Sequence, residues 1–200
     1  MEIVLRTERA EEVKSLIEGM QRRGHKAEPV LRQYGGYMRE MVLEHFAKGM
    51  GPTGPWKEGR RAGDQGGKTL YDTGRLAGSI SGQGSLISSD VEVRLGTRVK
   101  YARIHQEGGV IKPVNAKWLT VPVEASRRKK ARDYEDAFVI MGSHGPLLVR
   151  KKGKGKNEKL VILYALKKSV TMPARPYMWF DAGADDRLVA MLAEWVEEGK

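Results

Sequence analysis

Apolar residues recur every three to four positions up to about residue 48 of this 200-residue chain, and at every second position in several runs after residue 90. A chain whose hydrophobic period changes in this way folds as helices followed by strands, because each period turns one face of one kind of element toward a core. Val13, Leu16, Ile17 and Met20 mark an amphipathic helix from Glu8 to Arg22, closed at Gly24. A second helix starts near Pro29 and runs toward Lys48. Its stripe is Val30, Leu31, Tyr34, Met38, Met41, Val42, His45 and Phe46, and Gly35-Gly36 weakens its middle. His45 reads as a packed side chain rather than a ligand. In VEVRLGT, Val91, Val93 and Leu95 share a face, and Tyr101–His105 reads as the partner strand. Trp118–Val123, Ala137–Gly142, Pro146–Arg150 and Leu160–Leu166 follow as further strands, and Asp185–Glu198 as a closing helix with Asp185 and Asp186 at its N-terminus. The expectation is an α+β fold with a mostly antiparallel sheet, two N-terminal helices, a C-terminal helix and a basic β-hairpin excursion.

Between the helices and the strands, Gly49–Lys68 is rich in Gly, Pro and charge, and reads as a long loop anchored by Trp56. The net charge of +11 is concentrated: residues 126–159 hold eleven Lys and Arg against four Asp and Glu. That predicts a charged protrusion, an insertion over 124–160 within a single domain spanning 1–200, rather than a uniformly basic surface. The tip of this protrusion is assigned to Arg127, Arg128, Lys129, Lys130, Lys151, Lys152, Lys154 and Lys156, as electrostatic contacts to DNA or to an acidic protein. Neither basic run interleaves aromatics for base stacking or carries a recognition-helix pattern, so sequence-specific reading of a nucleic acid is not expected.

Several chemistries fail on spacing. AGDQGGKT imitates a phosphate-binding loop, but Ala62 stands where the first glycine belongs and no strand precedes it. The four histidines are scattered and there is no cysteine, so neither a metal centre nor a disulfide is expected. No GxSxG elbow occurs, and paired carboxylates such as Glu11-Glu12 lie at helix ends. No catalytic residue, metal or cofactor is assigned. The absence of a leader pattern or a long apolar run gives an expectation of a protein made and used in the cytoplasm, or carried in a particle assembled there.

Three stretches are left: DTGRLAGSI (residues 72–80), YARIHQEGG (101–109) and MPARPYMWF (172–180). In the first, Asp72 or Thr73 can cap a helical turn, and Arg75 points away from the face of Leu76 and Ile80. In the last, Pro173 and Pro176 stiffen an arm that holds Arg175 ahead of three aromatics, a geometry suited to clamping Asp72, Glu107 or a neighbouring subunit. Taken together and in this order, the stretches resemble the virion-morphogenesis (tail-completion) proteins of Mu-like tailed bacteriophages. The resemblance extends over roughly residues 1–196, with KTL-DTGRL and KWLTVPV also similar. It implies a structural protein without catalysis that assembles as a ring at the tail end or head–tail junction. Its partners would be further copies, tail tube or terminator proteins and head-connector proteins, with non-specific DNA contact and no membrane. It would reside in the virion, and in host cytoplasm during assembly. By position, Thr73, Gly74, Arg75 and Leu76 match the family's TGRL, His105, Gly108 and Gly109 its HQxGG, and Pro173, Arg175 and Pro176 its PARP, as motif and assembly contacts. Met172 and Met178-Trp179 depart from the pattern. A DNA-binding accessory protein of a prophage or mobile element, using the basic hairpin, is the alternative.

Overall fold

A computed structural model describes residues 9–22, 26–123, 130–153 and 158–197. The fold is α+β, and the chain divides into two compact units: residues 1–108 with 173–200, and residues 109–172.

The first unit is built around a long helix. Helix α1 spans Ala10–Arg22 and α2 spans Glu28–Lys48, close to the sequence expectation. After them come a two-residue pairing of β1 (Met50–Gly51) with β2 (Gly54–Pro55), a short helix α3 (Arg60–Gln65) and α4 (Arg75–Ser81). The hairpin of β3 (Leu86–Ser88) and β4 (Val93–Leu95) follows, then α5 (Ala102–Glu107) and, after residue 172, α6 (Ala182–Glu197). Helix α2 packs against α4, α6 and the β3–β4 hairpin, so its apolar stripe becomes the centre of the core. Asp181 directly precedes helix α6 and its carboxylate accepts the Ala184 N–H at 3.2 Å, while Asp185 lies in the first turn. Asp186 pairs instead with Arg9 at 2.7 Å, tying α1 to α6 at an exposed site where such a pair contributes little.

The two glycines in α2 behave differently. A Cβ on Gly35 would lie 2.6 Å from Val93 Cγ2 and against the Leu86 side chain, so glycine lets the helix press onto the hairpin. A Cβ on Gly36 would meet nothing within 4 Å. Gly36→Ala should therefore raise stability by up to about 1 kcal/mol through helix propensity. Gly35→Ala gains the same propensity but must displace two packed side chains, an overpacking cost of about 1–3 kcal/mol, and should destabilise. Urea denaturation of the two variants reads the opposite signs.

Three expectations are corrected in this unit. Tyr101–His105 is not a strand: Ala102–Glu107 is helix α5, with Ala102 fully buried one turn beyond Val99. The partner of β4 is β3, LIS, whose three residues are too few to show a period. Val91 does not face inward but is 64% exposed, because the Ser89–Glu92 turn delays the strand to Val93. Gly49–Lys68, read as loop, contains the β1–β2 pair and α3. Its Trp56 is buried, edge-on to Phe46 at a centroid distance of 5.7 Å.

The second unit begins with β5 (Gly109–Ile111), which pairs antiparallel with β10 (Val170–Met172). The Gly109↔Met172 register brings the two ends of the unit side by side, as an insertion requires. Between them β6 (Leu119–Pro122), β7 (Phe138–Gly142), β8 (Gly145–Lys152) and β9 (Lys159–Lys167) form one antiparallel sheet in the order β6-β9-β8-β7. Val149, Leu163, Tyr164 and Leu166 are its buried side chains. Residues 124–160, expected as an excursion, fall within the larger unit 109–172, which also holds β6, most of β9 and the β5–β10 pair.

Candidate functional site

The arm after Pro173 has no regular secondary structure, so its backbone polar groups need other partners. Helix α5, α2 and the Trp56 loop supply them. Arg175 N donates to His105 O at 2.7 Å, and Trp56 Nε1 donates to Pro176 O at 2.8 Å. Gln106 serves two residues at once: its Oε1 accepts Tyr177 N and Met178 N, each at 3.0 Å, while its Nε2 donates to Met178 O at 2.8 Å. His45 Nδ1 lies 3.0 Å from Tyr177 O, which can only accept, so that nitrogen carries the proton. The Tyr177 ring is fully buried and its hydroxyl donates to Ala102 O at 3.3 Å; burial pushes its pKa up to about 12. The Met178-Trp179 departure from the family pattern is absorbed here. Met178 is buried, and the Trp179 ring stacks on His45 at 4.3 Å, only 9° from parallel.

Arg175 is 5% exposed, and among the described residues its guanidinium meets no carboxylate. Nε donates to Lys57 O at 2.8 Å and Nη2 to Glu58 O at 3.4 Å. Asp72 pairs with Arg61 at 3.4 Å and Glu107 with Arg103 at 2.8 Å, so the expected clamp to either is replaced by a fork on two consecutive carbonyls. The stiff arm explains this, because it delivers the guanidinium into the loop that Trp56 has already fixed. Burial lowers the Arg175 pKa from its usual value. His105 is half-buried, and desolvation, together with the nearby Arg175 charge, lowers its pKa below the ordinary imidazole value.

The same loop reaches the TGRL turn. Arg61 Nη2 donates to Lys68 O at 2.7 Å and Tyr71 O at 3.1 Å, just ahead of Asp72. Gly74, at φ 70°, is the left-handed residue from which α4 starts. Thr73 Oγ1 accepts Arg75 N at 3.4 Å, a weak version of the expected cap. Leu76 and Ile80 are buried, whereas Thr73 and Arg75 are exposed. Gly108 and Gly109, at φ 72° and 134°, end α5 and turn the chain into β5. Of the assigned motif residues, His105, Arg175 and Pro176 therefore meet in one joint, and the TGRL turn is linked to that joint through the loop.

The basic tip is only partly described. Arg127, Arg128, Lys129, Lys154 and Lys156 lie outside the described residues. Lys130 precedes a 3-10 turn at Ala131–Asp133. Lys151 and Lys152 end β8, exposed, with Lys151 paired to Glu158 at 2.8 Å. Lys152 lies directly opposite Lys159, an unfavourable like-charge pair across two strands.

A model of the phage virion morphogenesis family matches residues 9–138, more than half of the chain. The chain belongs to the phage virion morphogenesis family. No curated protein and no solved structure matches it. Membership gives the protein a role in phage virion assembly. The matched range includes DTGRL and HQEGG, while the PARP arm and the β8–β9 turn follow it.

The site residue that sequence reasoning missed in this family member is Gln106. It lay inside the HQEGG stretch, and its signal was the need of a proline-rich arm for partners outside itself. Among the described residues no group of three His, Asp or Glu side chains could hold a metal ion, and no helix is long and apolar enough to cross a membrane.

Proposed function

We propose that this protein is a tail-completion or head–tail joining (neck) component that acts by assembly, making and breaking no covalent bond. Membership of the phage virion morphogenesis family over residues 9–138 carries the reading. The charge distribution supports it. Residues 109–172 hold fifteen Lys and Arg against five Asp and Glu, a net +10 of the chain's +11. The other unit is nearly neutral, as suits a body set among other proteins, and the β unit presents the field that a polyanion meets. Its partners are further copies in a ring, tail tube or terminator proteins, connector proteins, and DNA through non-specific contact at the basic tip. The motif residues Thr73, Gly74, Arg75, Leu76, His105, Gly108, Gly109, Pro173, Arg175 and Pro176 shape and brace the inter-subunit edge.

Electron microscopy of particles made without this gene tests the role. Separate filled heads and tails are the expected result, whereas normal infectious virions would end the reading. The rival, a DNA-binding accessory protein, is favoured by the same +10 unit. It requires tight, salt-sensitive duplex binding by the free chain that disappears when Lys151, Lys152, Lys154 and Lys156 are neutralised.

A further inference from the structure

The first unit contains a cleft of about 530 Å³ between α4, the β3–β4 hairpin and the segment that follows it. Three arginines line it: Arg75 from α4, Arg94 from β4 and Arg98 from the segment after β4. Among the described residues, the side chains of Arg75 and Arg98 have no hydrogen-bond or ion-pair partner, and both residues are exposed. Arg94 carries an ion pair to Glu92 at 2.8 Å. Ile87, the cross-strand partner of Arg94, is 62% exposed on the same face of the hairpin.

The walls of the cleft are held before anything binds. Ser79 Oγ and Thr97 Oγ1 are 2.6 Å apart, joining α4 to the segment that bears Arg98. Val99 N donates to Thr97 Oγ1 at 3.2 Å and Gly96 N to Ser85 O at 2.8 Å, which fixes that segment against the turn after α4. Arg75 lies one helical turn before Ser79, and Arg98 directly follows Thr97. The two guanidiniums therefore spring from anchored backbone on opposite walls, so little ordering is needed to engage them.

We propose that this cleft is a docking site for an acidic segment of another protein chain, with carboxylates taken by Arg75 and Arg98 and an apolar side chain laid on Ile87. Paired guanidiniums suit carboxylates, which they bind through parallel hydrogen bonds. DNA fits the cleft less well for two reasons. The unit around it carries a net charge of only about +1, so no extended field draws in a duplex. Ile87 offers an apolar contact that a phosphodiester cannot use. The site does not depend on where in the virion the chain acts.

The test uses the purified full chain with a fluorescent short peptide of alternating Glu and Leu, a matched Gln and Leu peptide, and a short DNA duplex. The acidic peptide should bind with salt-sensitive affinity, and the neutral peptide should not. In the double variant Arg75→Ala/Arg98→Ala, affinity for the acidic peptide should fall at least about tenfold, while duplex affinity stays within about twofold. Circular dichroism checks that the double variant, altered only at exposed positions, still folds. Self-association of the wild type that the double variant loses would identify the acidic segment as the chain's own, and would support the site. Failure of the wild type to bind the acidic peptide overturns the proposal, as does unchanged peptide affinity in the double variant. Duplex affinity that falls as far as the peptide's overturns it too, in favour of a nucleic-acid site.

Discussion

Gln106→Leu is expected to lower the melting temperature by roughly 5–12 °C, at about 2–4 °C per kcal/mol for a chain of this size. Leucine keeps the volume but removes all three bonds to the arm: Tyr177 N, Met178 N and Met178 O lose their partner. Both residues are buried, so two amide protons would be stranded away from water, at about 1–3 kcal/mol for each group. Gln106→Glu separates this from a packing effect. Its carboxylate still accepts both amides but sets its second oxygen against Met178 O, two acceptors facing each other, so it should recover only part of the loss. Equal losses in the two variants, measured by differential scanning fluorimetry, would refute the account of the arm as a segment held by one side chain.

Arg175→Ala is expected to destabilise by about 2–4 kcal/mol, because charge-assisted hydrogen bonds to two carbonyls are lost and a buried stem is removed. Lys57 O and Glu58 O belong to the loop that Trp56 and Arg61 also hold, so the damage should spread along that loop. Hydrogen exchange at Thr69–Tyr71, beyond the point of contact, should quicken in the variant. Arg175→Lys should recover less than half of the loss, since one ammonium cannot reproduce a planar fork. Full recovery by lysine would show that the charge alone matters, and an unchanged melting curve for the alanine variant would remove Arg175 from the joint.

Both predictions concern a segment whose importance was visible in the sequence and whose contacts were not. TMPARPYMWF announced rigidity through its prolines, and that much is a local property of the chain. The end of the arginine was assigned to a carboxylate, Asp72 or Glu107, or to a neighbouring subunit. The guanidinium instead found backbone carbonyls, which have no signature in sequence because every residue carries one. Gln106 escaped for the related reason that a glutamine is marked as important only by what it touches. α5 was misread because five residues of YARIH fit either period, and the burial of Ala102 beneath Tyr177 decides between them.

Periodicity determined the helices α1, α2 and α6, the strands of the larger sheet and the α+β class, since these follow from which residues must leave water along one element. The short motifs in their order pointed to the family. Only tertiary structure decided that β3, not Tyr101–His105, pairs with β4, that Gly35 is required by a neighbouring hairpin while Gly36 is not, and that residues 109–172 form a unit of their own. It alone placed Arg75, Arg94 and Arg98 around one cleft. Those are matters of approach between segments far apart in the chain, and the free energy of such contacts depends on distances that no run of neighbouring residues encodes.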